Sequence, residues 1–190
     1  KHMKKILISA CELSADRHAA AIVTALKQRC PDIQIIGVGS EYSRKAGMDV
    51  RLDISTYSTV GLFEPFKYLP QLYKAYKQIQ HMLIHEKPDL FLPIDNQGLH
   101  LKLCAVAKKA GIPVTYFIAP QHWHWGTKKQ GESVGKVVDS ILAIFPQEAE
   151  FYMNCGIQTK FVGHPTIDRV RPFKQSKSPD KICAVFPGSR

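Results

Sequence analysis

Lys5-Ile6-Leu7-Ile8-Ser9-Ala10-Cys11-Glu12-Leu13-Ser14-Ala15-Asp16-Arg17-His18 passes from an unbroken apolar run into a polar loop, then into Ala19, Ala20, Ile22, Val23 and Leu26 at helical spacing. A strand-length run that is apolar on consecutive residues suits a strand covered by helices on both faces. The same change of period repeats outward from here. Residues 33–38 read as a strand followed by a short polar turn-helix, and residues 50–54 as a strand followed by a long amphipathic stretch over 63–85. Residues 90–94 lead to a helix over 101–110, and residues 113–118, 140–144 and 160–162 read as further strands, with a helix over 147–154. Strands alternating with helices predict βαβ units, here a doubly wound α/β domain with a mostly parallel, Rossmann-like sheet over residues 4–168.

Composition narrows the function. The 190 residues carry 26 Lys and Arg against 16 Asp and Glu, a net charge of +10 that favours anionic partners: phosphorylated small molecules, nucleic acid or an acidic membrane surface. With 45% hydrophobic residues in short clusters, the chain is neither disordered nor fibrous. No apolar stretch approaches the ~20 residues of a membrane span. Five widely spaced cysteines without a CxxC pair suit a reducing cytoplasm. Lys1-His2 read as an expression remnant before Met3. Residues 169–181 are polar, with two prolines and five basic residues, and read as a linker. Residues 182–190 form a new strand pattern ending in Pro187-Gly188-Ser189-Arg190. The expectation is a second domain just begun, so that the chain is the first half of a larger protein; the alternative is an edge strand added to the first domain.

Ligands of doubly wound sheets bind at the carboxyl ends of the strands, and four predicted strands end in unusual polar loops. These are Cys11–His18, Asp95-Asn96-Gln97-Gly98, Ala119-Pro120-Gln121-His122-Trp123-His124-Trp125, and Gly163-His164-Pro165. In the first, Ser14 or Asp16 can cap the following helix or meet a ligand, whereas Glu12 has no capping role to explain it. There is no G-x-G-x-x-G and no Walker motif, so neither a dinucleotide cofactor nor an ATPase is expected. Asp95 ends an apolar strand directly; it reads as a general base in a cleft or as a helix cap. His122 and His124, two apart, would share one face of a strand, but no third ligand stands at a recognisable spacing. They read as pocket-lining groups beside the tryptophans, with no metal. His164 is a pocket or a turn residue. In residues 60–77, Leu62, Phe66, Leu69 and Tyr73 follow helical spacing, and Phe63, Leu72 and Tyr76 widen the stripe. That arc either packs on the sheet or docks on anionic lipid and acyl chains.

Taken in order, these motifs resemble the N-terminal half of the lipid-A-disaccharide synthase family, bacterial glycosyltransferases of the B type. The family's G-E-x-S-G-D loop is similar to Cys11-Glu12-Leu13-Ser14-Ala15-Asp16, and its G-M-x-V…D-I…V-M-G-L-x-E pattern to Gly47–Val50, Asp53-Ile54 and Val60–Glu64. K-P-D-x-x-I-x-I-D is similar to the run from Lys87-Pro88-Asp89 to Ile94-Asp95, and P-x-x-W-A-W to Pro120–Trp125. L-A-I-F-P-F-E and F-V-G-H-P are similar to residues 142–148 and 161–165, and Pro187-Gly188-Ser189-Arg190 to the phosphate-contacting turn that opens the family's second domain.

The resemblance implies transfer from UDP-2,3-diacylglucosamine to 2,3-diacylglucosamine 1-phosphate, with inversion, release of UDP, and neither metal nor cofactor. It places Asp95 as the base on the acceptor 6-hydroxyl. Glu12, Ser14, Asp16, His18, Asn96, His122, Trp123 and His164 fall in the active-site loops, and Arg190 at the donor diphosphate. Val60, Leu62, Phe63, Phe66, Leu69 and Tyr73 correspond to its membrane and acyl patch. It further implies a cytoplasmic protein peripheral on the inner membrane, no nucleic acid, and a homodimer formed through the C-terminal half. Four positions depart from the pattern: Cys11 and Ala15 replace glycines, Gly98 replaces an acid, and Gln121 replaces a serine. Without a donor-binding domain the 190 residues alone are expected to be inactive. Two other readings stay open: another UDP-sugar enzyme of the same fold, such as an epimerase, and a non-catalytic basic module for membrane or RNA.

Overall fold

The first strand sits inside a parallel sheet, third of seven, and the chain winds outward from it in both directions. The computed structural model describes residues 4–54 and 69–169. Its strands are β1 (Lys5–Ala10), β2 (Gln34–Gly39), β3 (Asp49–Asp53), β4 (Leu90–Ile94), β5 (Thr115–Phe117), β6 (Ser140–Ala143) and β7 (Gln158–Phe161). They form one sheet in the order β3-β2-β1-β4-β5-β6-β7, every pair parallel. The order reverses between β1 and β4, where a crevice opens beyond the strand ends. The doubly wound α/β expectation holds.

Two cores, one per face, explain the continuous apolar strands. Because side chains alternate across a strand, Ile6, Ile8 and Ala10 join Ala15, Ala19 and Val23 of α1 (Leu13–Arg29) on one side. Leu7 faces the other way, into a core shared with α3 (Leu69–Glu86), α4 (Gln97–Lys109) and α7 (Pro146–Asn154). The helix α2 (Glu41–Lys45) follows β2 and packs on α1.

Three local readings change. The helix predicted over 101–110 begins earlier, at Gln97, because Asn96 takes the N-cap and its side chain accepts the Leu99 N–H at 3.4 Å. The His122–Trp125 run is a single helical turn, α5, so two residues apart no longer means one face. A helix absent from the sequence reading, α6 (Lys128–Gly135), holds two glycines that argue against it on propensity. Its Thr127–Gln130 capping box starts it, and close packing explains Gly131. A Cβ there would stand 2.5 Å from Cys155 Sγ and 2.7 Å from the Phe151 ring.

Candidate functional site

Residues that leave β1, β4 and β5 meet at the carboxyl edge of the sheet. Ala10 pairs with Ile94 and Ile94 with Phe117, so Cys11-Glu12, Asp95 and Ile118 emerge side by side. Asp95, Asn96 and Ile118 all have left-handed backbones, with φ of 54°, 50° and 57°. Asp and Asn tolerate this region, but a β-branched Ile there is strained, and such strain concentrates at functional sites. The Asp95 side chain is exposed; its Oδ1 accepts the Asn96 N–H at 2.7 Å.

Asp95 lines a cavity of about 350 Å³, within the range of small-molecule sites. One carboxylate (Asp95), three carboxamides (Gln97, Gln121, Gln130), His122 and Trp125 supply its polar and aromatic wall, with Ile118 and Pro120 between them. Partial burial pulls the His122 imidazole below its ordinary pKa, which favours the neutral ring. No lysine or arginine lines the cavity among the described residues. A wall of neutral donors and acceptors with one indole suits a hydroxyl-bearing ring, and Asp95 is placed to take a proton from one of its hydroxyls.

The wall is held from behind by α7. Glu148 is buried and its Oε2 accepts the backbone N–H groups of Ile144 and Phe145 at 2.8 and 3.3 Å. Burial raises its carboxyl above the usual range despite those bonds. Tyr152, also buried, donates its hydroxyl to the Pro120 carbonyl at 2.5 Å and so fixes the loop entering α5. These supports escaped the sequence reading, although Glu148 ends one of the motifs quoted for the resemblance.

The structure brings Asp95 and His122 into the cavity together. Glu12 is exposed at the neighbouring strand end; it is the N-cap of α1 without a side-chain cap bond, and is not a lining residue. Ser14 is exposed in the first turn, so neither it nor Asp16 is the cap. Asp16 is turned inward, a correction to its reading as a loop ligand. It is fully buried, accepting the Ser40 N–H at 2.8 Å and the hydroxyls of Ser40 and Ser43. Gly39 makes room for it, since a Cβ there would lie 2.7 Å from Asp16 Oδ1.

His18 packs edge-on against Phe117, centroids 6.1 Å apart. Asn96 caps α4, so the capping role considered for Asp95 falls to its neighbour. Trp123 stacks on Phe145 at 5.5 Å, and Phe145 on His164 at 5.4 Å, a row beside the cavity. Trp125, 81% exposed, is the tryptophan that lines it. His164 is not a lining residue, and its Nδ1 accepts the Thr166 N–H at 3.2 Å.

Of the departing residues, Ala15 is in the core and Cys11 lies under the site, where burial pushes its thiol up to about 11. Gly98 has open space where a side chain would go. On α3, Tyr73 is 62% exposed, with the Lys77 ammonium 5.6 Å from its ring. Leu69 opens that helix; Val60, Leu62, Phe63, Phe66 and Arg190, and the rest of the linker and strand expected from the sequence beyond residue 169, lie outside the described residues. Among the described residues no helix is long and apolar enough to cross a membrane, and no three His, Cys, Asp or Glu side chains group as metal ligands.

Residues 6–190 match the profile of the lipid-A-disaccharide synthetase family. The chain is 34% identical over 197 residues to lipid-A-disaccharide synthase of Geobacter metallireducens, covering 98% of this chain and 51% of that protein. It is 35% identical over 196 residues to lipid-A-disaccharide synthase 1 of Legionella pneumophila strain Philadelphia 1, with the same coverage. The chain thus spans about half the length of the curated relatives it matches. Among solved structures it is similar to UDP-GlcNAc 2-epimerase from Neisseria meningitidis bound to UDP-GlcNAc, with a TM-score of 0.59 at 13% identity, covering 87% of this chain and 47% of that one. A putative UDP-N-acetylglucosamine 2-epimerase from Listeria monocytogenes gives a TM-score of 0.59 at 12% identity, covering 82% and 43%. At such identities the likeness is one of fold.

Proposed function

The chain belongs to the lipid-A-disaccharide synthase family, and from that premise we propose that it is the acceptor-side half of a glycosyltransferase. The intact enzyme joins UDP-2,3-diacylglucosamine to 2,3-diacylglucosamine 1-phosphate. The observation that carries the assignment is the exposed Asp95 carboxylate on the wall of a cavity otherwise lined by neutral groups. Asp95 accepts the proton of the acceptor 6-hydroxyl; that oxygen bonds to the anomeric carbon of the donor from the face opposite the diphosphate, and the bond to UDP breaks. The anomeric centre inverts and UDP leaves. Oδ1 is occupied by the Asn96 N–H, so Oδ2 is the oxygen assigned to the incoming hydroxyl.

His122, Gln97 and Gln121 orient the acceptor ring, and Trp125 offers it an apolar face. Glu12, at the adjoining strand end, lies on the approach to the crevice. The donor diphosphate falls to Arg190, in the turn of a second domain that begins at residue 182 after the 169–181 linker. The apolar arc through Val60, Leu62, Phe63, Phe66, Leu69 and Tyr73 meets the acyl chains and an anionic membrane. A net charge of +10 draws the protein to that surface and to two anionic lipids.

Acyl-sugar transfer by the full-length protein tests the reading. Asp95→Asn keeps the shape and removes the base, and turnover is expected to fall on the order of 10²–10⁴-fold with little change in KM. Undiminished turnover in that variant would overturn the assignment of Asp95.

A further inference from the structure

Behind Asp95, and away from the cavity, lies a histidine to which the mechanism above gives no task. His100 on α4 is completely buried, between the rings of Phe91 and Tyr116, whose centroids are 6.5 and 6.2 Å away. Its Nδ1 stands 2.6 Å from the Asp95 carbonyl oxygen, and its Nε2 stands 2.8 Å from Ser9 Oγ and 3.4 Å from Cys11 Sγ. The second donor to that carbonyl is the Tyr116 hydroxyl, at 2.7 Å.

These contacts dictate protonation. A carbonyl oxygen only accepts, so Nδ1 carries the hydrogen. Burial disfavours the imidazolium and pulls the His100 pKa down to about 4, so the ring is neutral and Nε2 accepts from the Ser9 hydroxyl. The imidazole is thereby locked in one tautomer and one orientation.

Both lone pairs of the Asp95 carbonyl are used, and its N–H donates to the Phe117 carbonyl at 3.0 Å. The peptide groups flanking Asp95 are therefore gripped while its φ is 54°. A left-handed backbone is less favourable for a residue with a side chain than the ordinary conformation. Two donors aimed at the carbonyl offset that cost and keep the side chain pointing off the end of β4. We propose that His100 is a positioning residue: with Tyr116 it clamps the Asp95 carbonyl and so holds the carboxylate at the cavity wall. The role rests on the reading of Asp95 as the base, and it reaches the chemistry only through the backbone.

The test uses the full-length protein with three variants. His100→Leu removes the donor, His100→Asn places an amide N–H near the position of Nδ1–H, and Tyr116→Phe deletes the second donor without changing shape. Turnover of the acyl-sugar pair is expected to fall on the order of 10²-fold in His100→Leu, with KM little changed. It should fall less in Tyr116→Phe and recover in His100→Asn. Crystal structures of the variants read the backbone independently of activity: φ of Asp95 is expected to leave the left-handed region in His100→Leu and keep it in His100→Asn. Wild-type turnover in His100→Leu, or lost turnover with Asp95 still left-handed, would overturn the clamp. Failure of the base reading shows separately, as unchanged turnover in Asp95→Asn. If His100→Leu does not fold, Tyr116→Phe carries the same two readouts, and an unmoved Asp95 with full turnover there would count against the clamp.

Discussion

The hydroxyl of Tyr152 reaches the carbonyl of Pro120 at 2.5 Å, tying the last turn of α7 to the loop that delivers His122 and Trp125 to the cavity. Thirty-two residues separate the two groups in sequence. The bond joins a helix that belongs to the core to a loop that belongs to the site.

Tyr152→Phe therefore acts in two places. It leaves the buried Pro120 carbonyl without its partner, and stability is expected to drop by about 1–3 kcal/mol. Urea denaturation reads that loss. The freed loop should also raise the acceptor KM of the full-length enzyme, whereas a purely structural tyrosine would leave KM unchanged.

Asp16 separates folding from chemistry. Asp16→Ala strips the Ser40 N–H and two buried hydroxyls of their acceptor, at an expected cost on the order of 3 kcal/mol or more. The midpoint of chemical denaturation should fall steeply, while turnover per folded molecule stays near wild type. Loss of turnover at full stability would return Asp16 to the substrate site.

His100 should be visible in the pH dependence of stability. Its pKa falls from 6.5 in the unfolded chain to about 4 in the fold, so between those values the unfolded state binds more protons and stability rises with pH. The contribution is complete above 6.5 and is lost as pH falls toward 4, on the order of 3 kcal/mol over the window. Glu148, whose carboxyl is raised, works the other way: its contribution is complete below 4.5 and declines above it. Denaturation of wild type and His100→Asn across this range isolates the histidine, since the Glu148 slope is common to both. Identical slopes would mean that His100 titrates normally.

The cysteines should differ in reactivity. Burial lifts the Cys11 thiol to about 11 and leaves little thiolate at neutral pH, whereas Cys30 is exposed at the end of α1. Brief iodoacetamide treatment at pH 7.5, mapped by mass spectrometry, is expected to label Cys30 and spare Cys11. Rapid labelling of Cys11 would show that its thiol is reached by solvent and that burial does not hold it protonated.

Much of this protein was legible before any coordinates. Consecutive apolar residues at Leu7, Ile8, Ile35 and Ile36 announced strands buried on both faces, and the structure places all four in its cores. The loops after β1, β4 and β5 were recognisable because polar residues interrupt apolar runs there. The helix α6 was missed because one residue type serves two ends: Gly131 weakens a helix by propensity and permits one by close packing. The HWHW run failed because two-residue spacing has meaning only once strand or helix is known.

The sequence by itself determined the layers, the parallel sheet and the edge at which Asp95 emerges, since hydrophobic period and strand-end chemistry are local properties of the chain. Which polar residues face the crevice and which face inward was decided by the tertiary structure alone. Asp16 and His100 are as polar as Glu12 and His122, yet the first pair finds buried partners across 24 and 91 residues of chain. A desolvated polar group is tolerated only where such partners converge, and that convergence exists only in the folded chain.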